Sequence, residues 1–361
     1  MHILHLTAGS DAGGVSRYIL DLSTAMREAG HRITFAGERG LWHQKFIDGG
    51  WTWIEAPMKG GPLALIKSTR MVRKALNGQA VDVLHAHFRK SAIVARRLQR
   101  SGRPPLLYTL HGSHIPTGGI WKMLSDYGDR VHVPSSEARQ WLIDQAGVDA
   151  EKITLIPHGI HTDRFPVADD AARQKARAAL GLSENDLVAL YLGRLEFQKN
   201  ESWMLDLAER SRDALPALNV LMAGEGPNEA EVRQQIAGRN LTDRVRLLGH
   251  REPLGVLQAA DALLLPSLRE GFSYACAEAM CAGVPVLRTR TSGTKELIVE
   301  GLTGRSVEID NEAFVRGSIE FLSDRVALKK MGTAAAEHIR RNFTFDRQLQ
   351  QTLELYEQMI R

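Results

Sequence analysis

From its first residues to about residue 308, the chain alternates short apolar runs with longer stretches of helical period. That alternation restricts it to α/β architectures. In the first half the apolar runs fall at residues 3–7, 32–36, 81–86, 106–110, 130–134 and 153–157. Most are β-branched and bounded by Gly, Pro, Asp or Ser, as parallel strands covered on both faces should be. Between the first two, Val15, Ile19, Leu22 and Met26 recur at a 4-3-4 spacing and predict one apolar helix stripe. In the second half the runs fall at 187–192, 218–223, 244–248, 262–265, 284–288 and 304–308.

Alternating β and α elements imply doubly wound parallel sheets, and two such sets imply two domains. A chain of 361 residues is long enough for each to bury a core. The segment from His158 through Gly159 and His161 to Pro166 reads as the connection. We place a first domain at residues 1–162, a second at 163–342 and a terminal helix at 343–361. In that helix Leu349, Leu353, Tyr356 and Ile360 share a predicted face.

Hydrophobic residues make up 43% of the chain and charged ones 24%, the balance of a globular protein rather than a disordered or membrane-spanning one. No stretch approaches the roughly 20 apolar residues of a membrane helix. The N-terminus enters a strand pattern directly, so no signal peptide is expected. The two cysteines, Cys276 and Cys281, share one predicted helix and suggest a reducing, cytoplasmic setting. Charge is unevenly placed: residues 1–160 hold 20 Lys/Arg against 13 Asp/Glu, the rest 26 against 29. Between Lys59 and Arg103, 11 basic residues face one acid, Asp82. Lys67, Arg70 and Lys74 recur at helical spacing, as do Arg89, Arg96 and Arg100. Such a run is either a solvated helix face or a surface for an anionic membrane or acceptor.

In open α/β sheets ligands bind outside the carboxyl ends of strands, so residues just after strands carry most weight. After the strand at 262–265 comes Glu270-Gly271-Phe272-Ser273, then a predicted helix holding Glu278. From Gly271 to Leu287 Glu278 is the only charged residue, among Ala275, Ala277, Ala279 and Ala282. A carboxylate buried on so apolar a helix needs polar partners, and ribose hydroxyls are suitable ones. The competing readings are an exposed helix glutamate for Glu278 and a plain helix-entry acid for Glu270. After the strand at 187–192 come Arg194 and Lys199, which can neutralise a diphosphate or stand as two surface cations. Asp11-Ala12-Gly13-Gly14 opens the first helix, where backbone N–H groups attract anions, though a tight structural turn reads as well. His111, in Thr109-Leu110-His111-Gly112-Ser113, closes an apolar strand, placed either to hold a sugar hydroxyl or as a structural histidine. Gly224-Glu225-Gly226-Pro227 reads as a turn near the nucleotide.

Absences narrow the field. No Asp-x-Asp follows a hydrophobic strand, so no divalent metal on a diphosphate is expected. Zinc-ligand spacings, a Walker A and a G-x-S-x-G are missing. The dinucleotide fingerprint and a Tyr-x-x-x-Lys pair are also missing, which disfavours a dehydrogenase or epimerase. The positive charge for an anionic leaving group would then come from Arg194, Lys199 and oriented backbone amides.

Over nearly its whole length the chain resembles the GT-B glycosyltransferases of the group 1, or GT4, type. The most specific marker is Glu-x7-Glu, here Glu270 to Glu278. In order, the other markers are Gly13 and Gly14, His111, Arg194 with Lys199, the Gly-x-Gly-Pro turn, and Asp261-Ala262 with Pro266-Ser267. The resemblance implies two Rossmann-like domains facing a cleft, acceptor side first and donor side second, with the C-terminal helix crossing back to the first. It implies that Arg194 and Lys199 bind the donor diphosphate and that Glu278 holds the ribose. Glu270 and the backbone of Gly271, Phe272 and Ser273 would contact the transferred sugar. Gly13 and Gly14 would approach the phosphate, His111 would sit beside the sugar, and His250 and Arg251 would frame the base. Three departures stand out: His158-Gly159 where Asn-Gly is usual, His161 where Asp is frequent, and Ser292-Gly293-Thr294-Lys295-Glu296 for Gly-Gly-x-x-Glu. The last bears on substrate identity more than on reaction class.

The expectation is therefore a retaining, metal-independent hexosyltransferase with no cofactor. It would move a sugar from a nucleotide-sugar, with UDP the commoner base, to a glycan or lipid-linked acceptor in polysaccharide or lipopolysaccharide biosynthesis. It would be cytoplasmic, with peripheral contact to anionic membrane through the Lys59 to Arg103 face and no nucleic-acid partner. The alternative is a catalytically silent nucleotide-sugar sensor or scaffold.

Overall fold

The structure is a computed structural model that describes residues 1–11, 13–99, 103–112, 115–119 and 125–361. Ala12, Arg100 and Ser113, each part of a motif above, lie outside the described residues. The chain divides into two units, Met1–Pro157 with Asp346–Arg361, and His158–Phe345.

The first unit contains β1 (His2–Gly9), α1 (Gly14–Glu28), β2 (Arg32–Glu38), α2 (His43–Asp48), β3 (Thr52–Glu55), α3 (Pro62–Leu76), β4 (Val83–Ala86), α4 (Arg89–Leu98), β5 (Leu106–Thr109), β6 (Arg130–Val133), α5 (Ser136–Ala146) and β7 (Ile153–Leu155). The strands form one parallel sheet in the order β3-β2-β1-β4-β5-β6-β7. Strand order reverses at β1, which pairs Leu4 with Thr34 of β2 and with Leu84 of β4. Ile3, Leu4 and Leu6 are fully buried there. The predicted stripe of α1 is buried at Ile19, Leu22 and Met26, with Tyr18 beside them.

Strand β3 escaped the periodicity reading. It is an edge strand that buries Ile54 while Thr52 and Glu55 face solvent, so its apolar signal is one residue deep. The run expected at 81–86 pairs only from Val83. Asp82 serves as its anchor instead, its carboxylate accepting from the His2 N–H at 2.6 Å.

The second unit contains α6 (Asp170–Ala179), β8 (Leu187–Leu192), α7 (Ser202–Arg210), β9 (Leu218–Ala223), α8 (Glu229–Gly238), β10 (Val245–Gly249), α9 (Pro253–Ala259), β11 (Ala262–Leu265), α10 (Tyr274–Cys281), β12 (Val286–Thr289), α11 (Thr294–Leu297), β13 (Gly304–Val307), α12 (Asn311–Leu322) and α13 (Arg325–Asn342). Its parallel sheet runs β10-β9-β8-β11-β12-β13, reversing between β8 and β11. Asp261, just before β11, accepts from Arg173 at 2.5 Å, from Arg177 at 2.8 Å and from the Val188 N–H at 2.7 Å. It ties α6 to the centre of the sheet, which is a structural task.

The terminal helix, α14 (Phe345–Ile360), belongs from Asp346 onward to the first unit. Its buried face differs from the expected one. Gln348, Thr352, Leu355 and Tyr356 are buried, while Leu349, Leu353 and Ile360 are only partly covered. The interior it meets is polar: Tyr356 Oη lies 2.6 Å from His85 Nδ1, and Gln348 hydrogen-bonds Tyr18. An apolar-stripe argument has no means of anticipating a polar docking surface. Among the described residues no helix is long and apolar enough to cross a membrane.

Candidate active site

In the second unit the loops after β8 and β11 leave the sheet on either side of its topological switch, the place where open α/β sheets bind ligands. Arg194 to Lys199 lie on one loop and Glu270 to Ser273 on the other. A backbone hydrogen bond from Leu268 N to Gln198 O, 2.8 Å, joins them. So does the Lys199 ammonium, 2.6 Å from Glu270 Oε1. Ser267 Oγ donates to the same oxygen at 2.8 Å. The Glu270 side chain is only 8% exposed. Burial pushes its carboxyl up, but Lys199, Arg288 and the hydrogen bonds from Lys199 and Ser267 together outweigh that and hold it below the usual glutamate range.

Arg194 is exposed, with its Nε 3.6 Å from Glu196, while its backbone is fixed. The Tyr191 hydroxyl donates to the Arg194 carbonyl at 2.6 Å, and Leu195 N donates to Glu225 O at 3.1 Å. The Gly-x-Gly turn explains itself here. A Cβ on Gly224, whose φ is +144°, would come within 1.9 Å of Gly193 O, and one on Gly226 within 2.1 Å of Leu195 O. Only glycine lets this turn brace the Arg194 loop. Gly224 N donates to Gly249 O at 2.8 Å, which brings in the loop of His250 and Arg251, both exposed.

Glu278 is 2% exposed on α10, so the reading of it as a solvent-facing helix glutamate is excluded. The helix is capped by Ser273, whose Oγ accepts from Cys276 N at 3.4 Å. The ring of Phe272 is buried against His158 and Tyr274. Gly293, with φ +78°, packs its turn against Gly271: a Cβ there would sit 2.9 Å from Gly271 O. Arg288 holds that turn through Thr291 Oγ1 at 2.5 Å and the Ser292 carbonyl at 3.3 Å. Sequence reasoning missed Arg288, Ser267's contact and Tyr191. A cation in the strand Val286-Leu287-Arg288-Thr289 was the available signal for the first.

In the first unit the sheet reverses between β1 and β4. Gly13, with φ +147°, is the N-cap of α1 and Gly14 its first residue, and no acid occupies the first turn. Asp11 is engaged by Lys59 at 2.8 Å. His111 follows β5, half-buried, its Nε2 3.1 Å from His87 Nδ1. It stands at the rim of a histidine cluster that sequence reasoning did not see, although His85-Ala86-His87 closing β4 was its signal. His5, His85 and His87 each place a nitrogen within 4.8 Å of the others. Both nitrogens of His85 and of His87 are already hydrogen-bonded, so the set is a hydrogen-bonded cluster rather than an open ligand shell. Burial keeps the His5, His111 and His132 rings neutral, with pKa values near 3, 3 and 4.

The basic face is narrower than expected. Arg96 is not part of it: its guanidinium is held by Asp126 and Asp129, each at 2.7 Å. Arg89 donates to Pro116 O, and Lys90 to the carbonyls of Lys59 and Gly60. These cations close loops, a use the spacing cannot reveal. Lys67, Arg70, Arg73 and Lys74 on α3 remain exposed, with Leu63 82% exposed at its start.

Two parallel-sheet α/β units, with candidate residues in the segments that follow strands, have the GT-B architecture. Residues 12–164 match the family model for Glycosyltransferase Family 4, and residues 172–338 the model for Glycosyl transferases group 1. The chain belongs to the group 1, family 4 glycosyltransferases. It is 27% identical to the UDP-Gal:alpha-D-GlcNAc-diphosphoundecaprenol alpha-1,3-galactosyltransferase of Escherichia coli, over 82% of this chain and 80% of that one. It is also 27% identical to a D-inositol 3-phosphate glycosyltransferase of Pseudarthrobacter chlorophenolicus, over 96% of this chain and 90% of the relative. Among solved structures, Anabaena HepE in complex with UDP superposes with a TM-score of 0.87 at 21% identity, over 99% of this chain and all of HepE.

Proposed function

We propose that the protein is a retaining, metal-independent glycosyltransferase that uses a UDP-sugar and extends a lipid-linked or envelope glycan. The observation that carries this is the pair of loops at the β8–β11 switch, which brings Lys199 to Glu270 and sets Arg194 on a braced, exposed loop. Arg194 and Lys199 supply the positive charge for the departing diphosphate. Glu278 takes the ribose hydroxyls, Glu270 and the backbone of Gly271 to Ser273 take the transferred sugar, and His250 and Arg251 frame the base. Gly13, Gly14 and His111 are the first unit's candidate ligand-binding residues. In a front-face reaction the C–O bond to the diphosphate breaks, the acceptor oxygen bonds the anomeric carbon from the same side, and its proton passes to the leaving phosphate oxygen. No protein base is then needed, in keeping with His111, whose pKa burial lowers to about 3 and which is therefore a weak base.

The UDP assignment is supported by the UDP-Gal transferase among the relatives and by solved HepE complexes with UDP and UDP-glucose. The lipid-linked acceptor is supported by that relative's diphosphoundecaprenol substrate and by the exposed cations of α3. The test is a thermal-shift panel of nucleotide-sugars in EDTA, followed by transfer assays. Stabilisation by one UDP-sugar in EDTA, with turnover abolished by Lys199→Ala, is expected. Donor binding without turnover in any acceptor extract would favour a sensor instead.

A further inference from the structure

Arg288 is a buried cation without a carboxylate of its own. It lies on β12, is 1% exposed, and forms no ion pair among the described residues. Its Nη2 donates to Thr291 Oγ1 at 2.5 Å and to the Ser292 carbonyl at 3.3 Å, while its Nη1 is buried with no hydrogen-bond partner. Two links set the end of β12 beside the Glu270 loop. Thr289 Oγ1 donates to the Ser267 carbonyl, and Ser267 Oγ donates in turn to Glu270. Gly293 packs its turn on Gly271. Arg288 and Glu270 both act on the buried Cys276 thiol of α10.

An arginine keeps its charge in a protein interior, and a buried charge is costly unless another charge compensates it. Glu270 supplies that compensation. Burial raises its carboxyl, and Lys199 first, then Arg288, outweigh the burial. The two cations differ in kind. Lys199 sits on a loop, is a quarter exposed and reaches Oε1 on a flexible stem. Arg288 is fixed on a strand and covered from water, so salt screens its field little. Ser267 also bonds Oε1, and among the described residues Oε2 accepts no hydrogen bond. Tyr191 on β8 and Cys276 on α10 are the other titratable groups that interact with Glu270. Burial raises both and keeps them neutral, the thiol at about 11. Arg290, two residues beyond Arg288, is exposed and paired with Glu308.

We propose that Arg288 is a positioning residue, a fixed counter-charge to Glu270 that remains when Lys199 turns to the diphosphate, so that Glu270 meets the transferred sugar as a carboxylate that only accepts hydrogen bonds. The diphosphate and the sugar rest on the functional reading above; the charge balance among Arg288, Glu270 and Lys199 does not.

The experiment follows the Glu270 carboxyl in carbon-13 spectra of the full-length protein labelled in glutamate, with Glu270→Gln giving the assignment, with and without UDP in EDTA. Lys199→Ala imitates the departure of the lysine. Glu270 should stay ionised at neutral pH in wild type with UDP bound, and equally in Lys199→Ala without ligand. Arg288→Met removes the fixed charge, and with UDP bound its Glu270 titration midpoint should rise by about 1–3 pH units. The same rise should appear without UDP when Arg288→Met is combined with Lys199→Ala. Arg288→Lys, which keeps the charge, should restore the wild-type midpoint, a rescue that a packing role does not predict. A Glu270 that protonates when wild type binds UDP, or in Lys199→Ala, overturns the proposal, as does a midpoint unmoved in folded Arg288→Met with UDP bound. Should Arg288→Met fail to fold, the wild-type and Lys199→Ala spectra decide alone. The Lys199→Ala spectra need no ligand, so a failure of UDP to bind counts against the functional reading and leaves the charge balance tested. If the midpoints follow Arg288 but Glu270→Gln keeps full kcat, the counter-charge stands and Glu270's contact with the sugar falls.

Discussion

Lys199 and Glu270 form an ion pair, Nζ to Oε1 2.6 Å, that joins the loop after β8 to the loop after β11. Lys199 is a quarter exposed and Glu270 almost wholly covered. The pair holds the two loops together and keeps a cation at the mouth of the switch, where the proposed diphosphate would share it.

Removing the cation alone strands a buried carboxylate. Lys199→Ala should lose about 1–3 kcal/mol, less than the cost of breaking a fully buried pair because the lysine keeps some water. Lys199→Ala with Glu270→Gln should recover most of that stability in urea melts but not the activity. Recovery of turnover by the double variant would mean that the lysine serves only the fold.

Glu278→Gln keeps the shape of a buried side chain and removes the charge. We expect donor KM to rise about tenfold or more, the range of a hydrogen bond to a charged group, with kcat little changed. Wild type should disfavour a 2′- or 3′-deoxyribose donor, and the variant should not. Equal discrimination by both proteins would move Glu278 out of the ribose site.

The histidine cluster makes the protein acid-sensitive. His5, His111 and His132 titrate near 3, 3 and 4 when folded, against 6.5 when free. Between those values the unfolded chain binds more protons, so stability is full above about pH 6.5 and falls as pH drops toward 4. Each histidine contributes a slope of up to about 1.4 kcal/mol per pH unit in that window. Glu270, lowered when folded, adds a loss only at lower pH, below the usual glutamate value of 4.5. The urea midpoint should decline steeply from pH 6.5 to 4.5, and a flat profile there would contradict the buried neutral cluster.

The exposed cations of α3 predict binding to anionic vesicles that weakens with salt. Each of Lys67, Arg70 and Lys74 should contribute about 1 kcal/mol near the surface. Charge reversal at all three should abolish sedimentation with phosphatidylglycerol vesicles, and Arg96→Ala should not, because Asp126 and Asp129 already hold Arg96. Equal binding to neutral vesicles would remove the electrostatic account.

Much of the fold was legible because buried parallel strands are written as continuous apolar runs. The strands at 187–192, 218–223 and 262–265 end where expected. The edge strand β3 was not legible, since one buried residue, Ile54, makes no pattern. In the second unit, the candidate residues Arg194, Lys199, Glu270 and Glu278 were picked out by their places after strands. The contacts that orient them could not, because Tyr191, Ser267 and Arg288 act through hydrogen bonds to loop atoms only three or four residues on, which no apolar period marks. The polar face of α14 and the His5–His87–His111 row were hidden for the same reason: periodicity records apolar faces and is silent on buried hydrogen-bond networks.

The central claim is that the protein's own cations, rather than a bound metal, hold the donor diphosphate. A calorimetric titration of the UDP-sugar in excess EDTA, on wild type and on Arg194→Ala with Lys199→Ala, tests it most directly. The account predicts wild-type affinity unchanged by EDTA and a loss of about 100-fold in the double variant, the size of two charge-assisted hydrogen bonds. Affinity that collapses on chelation, or that survives loss of both cations, would contradict it.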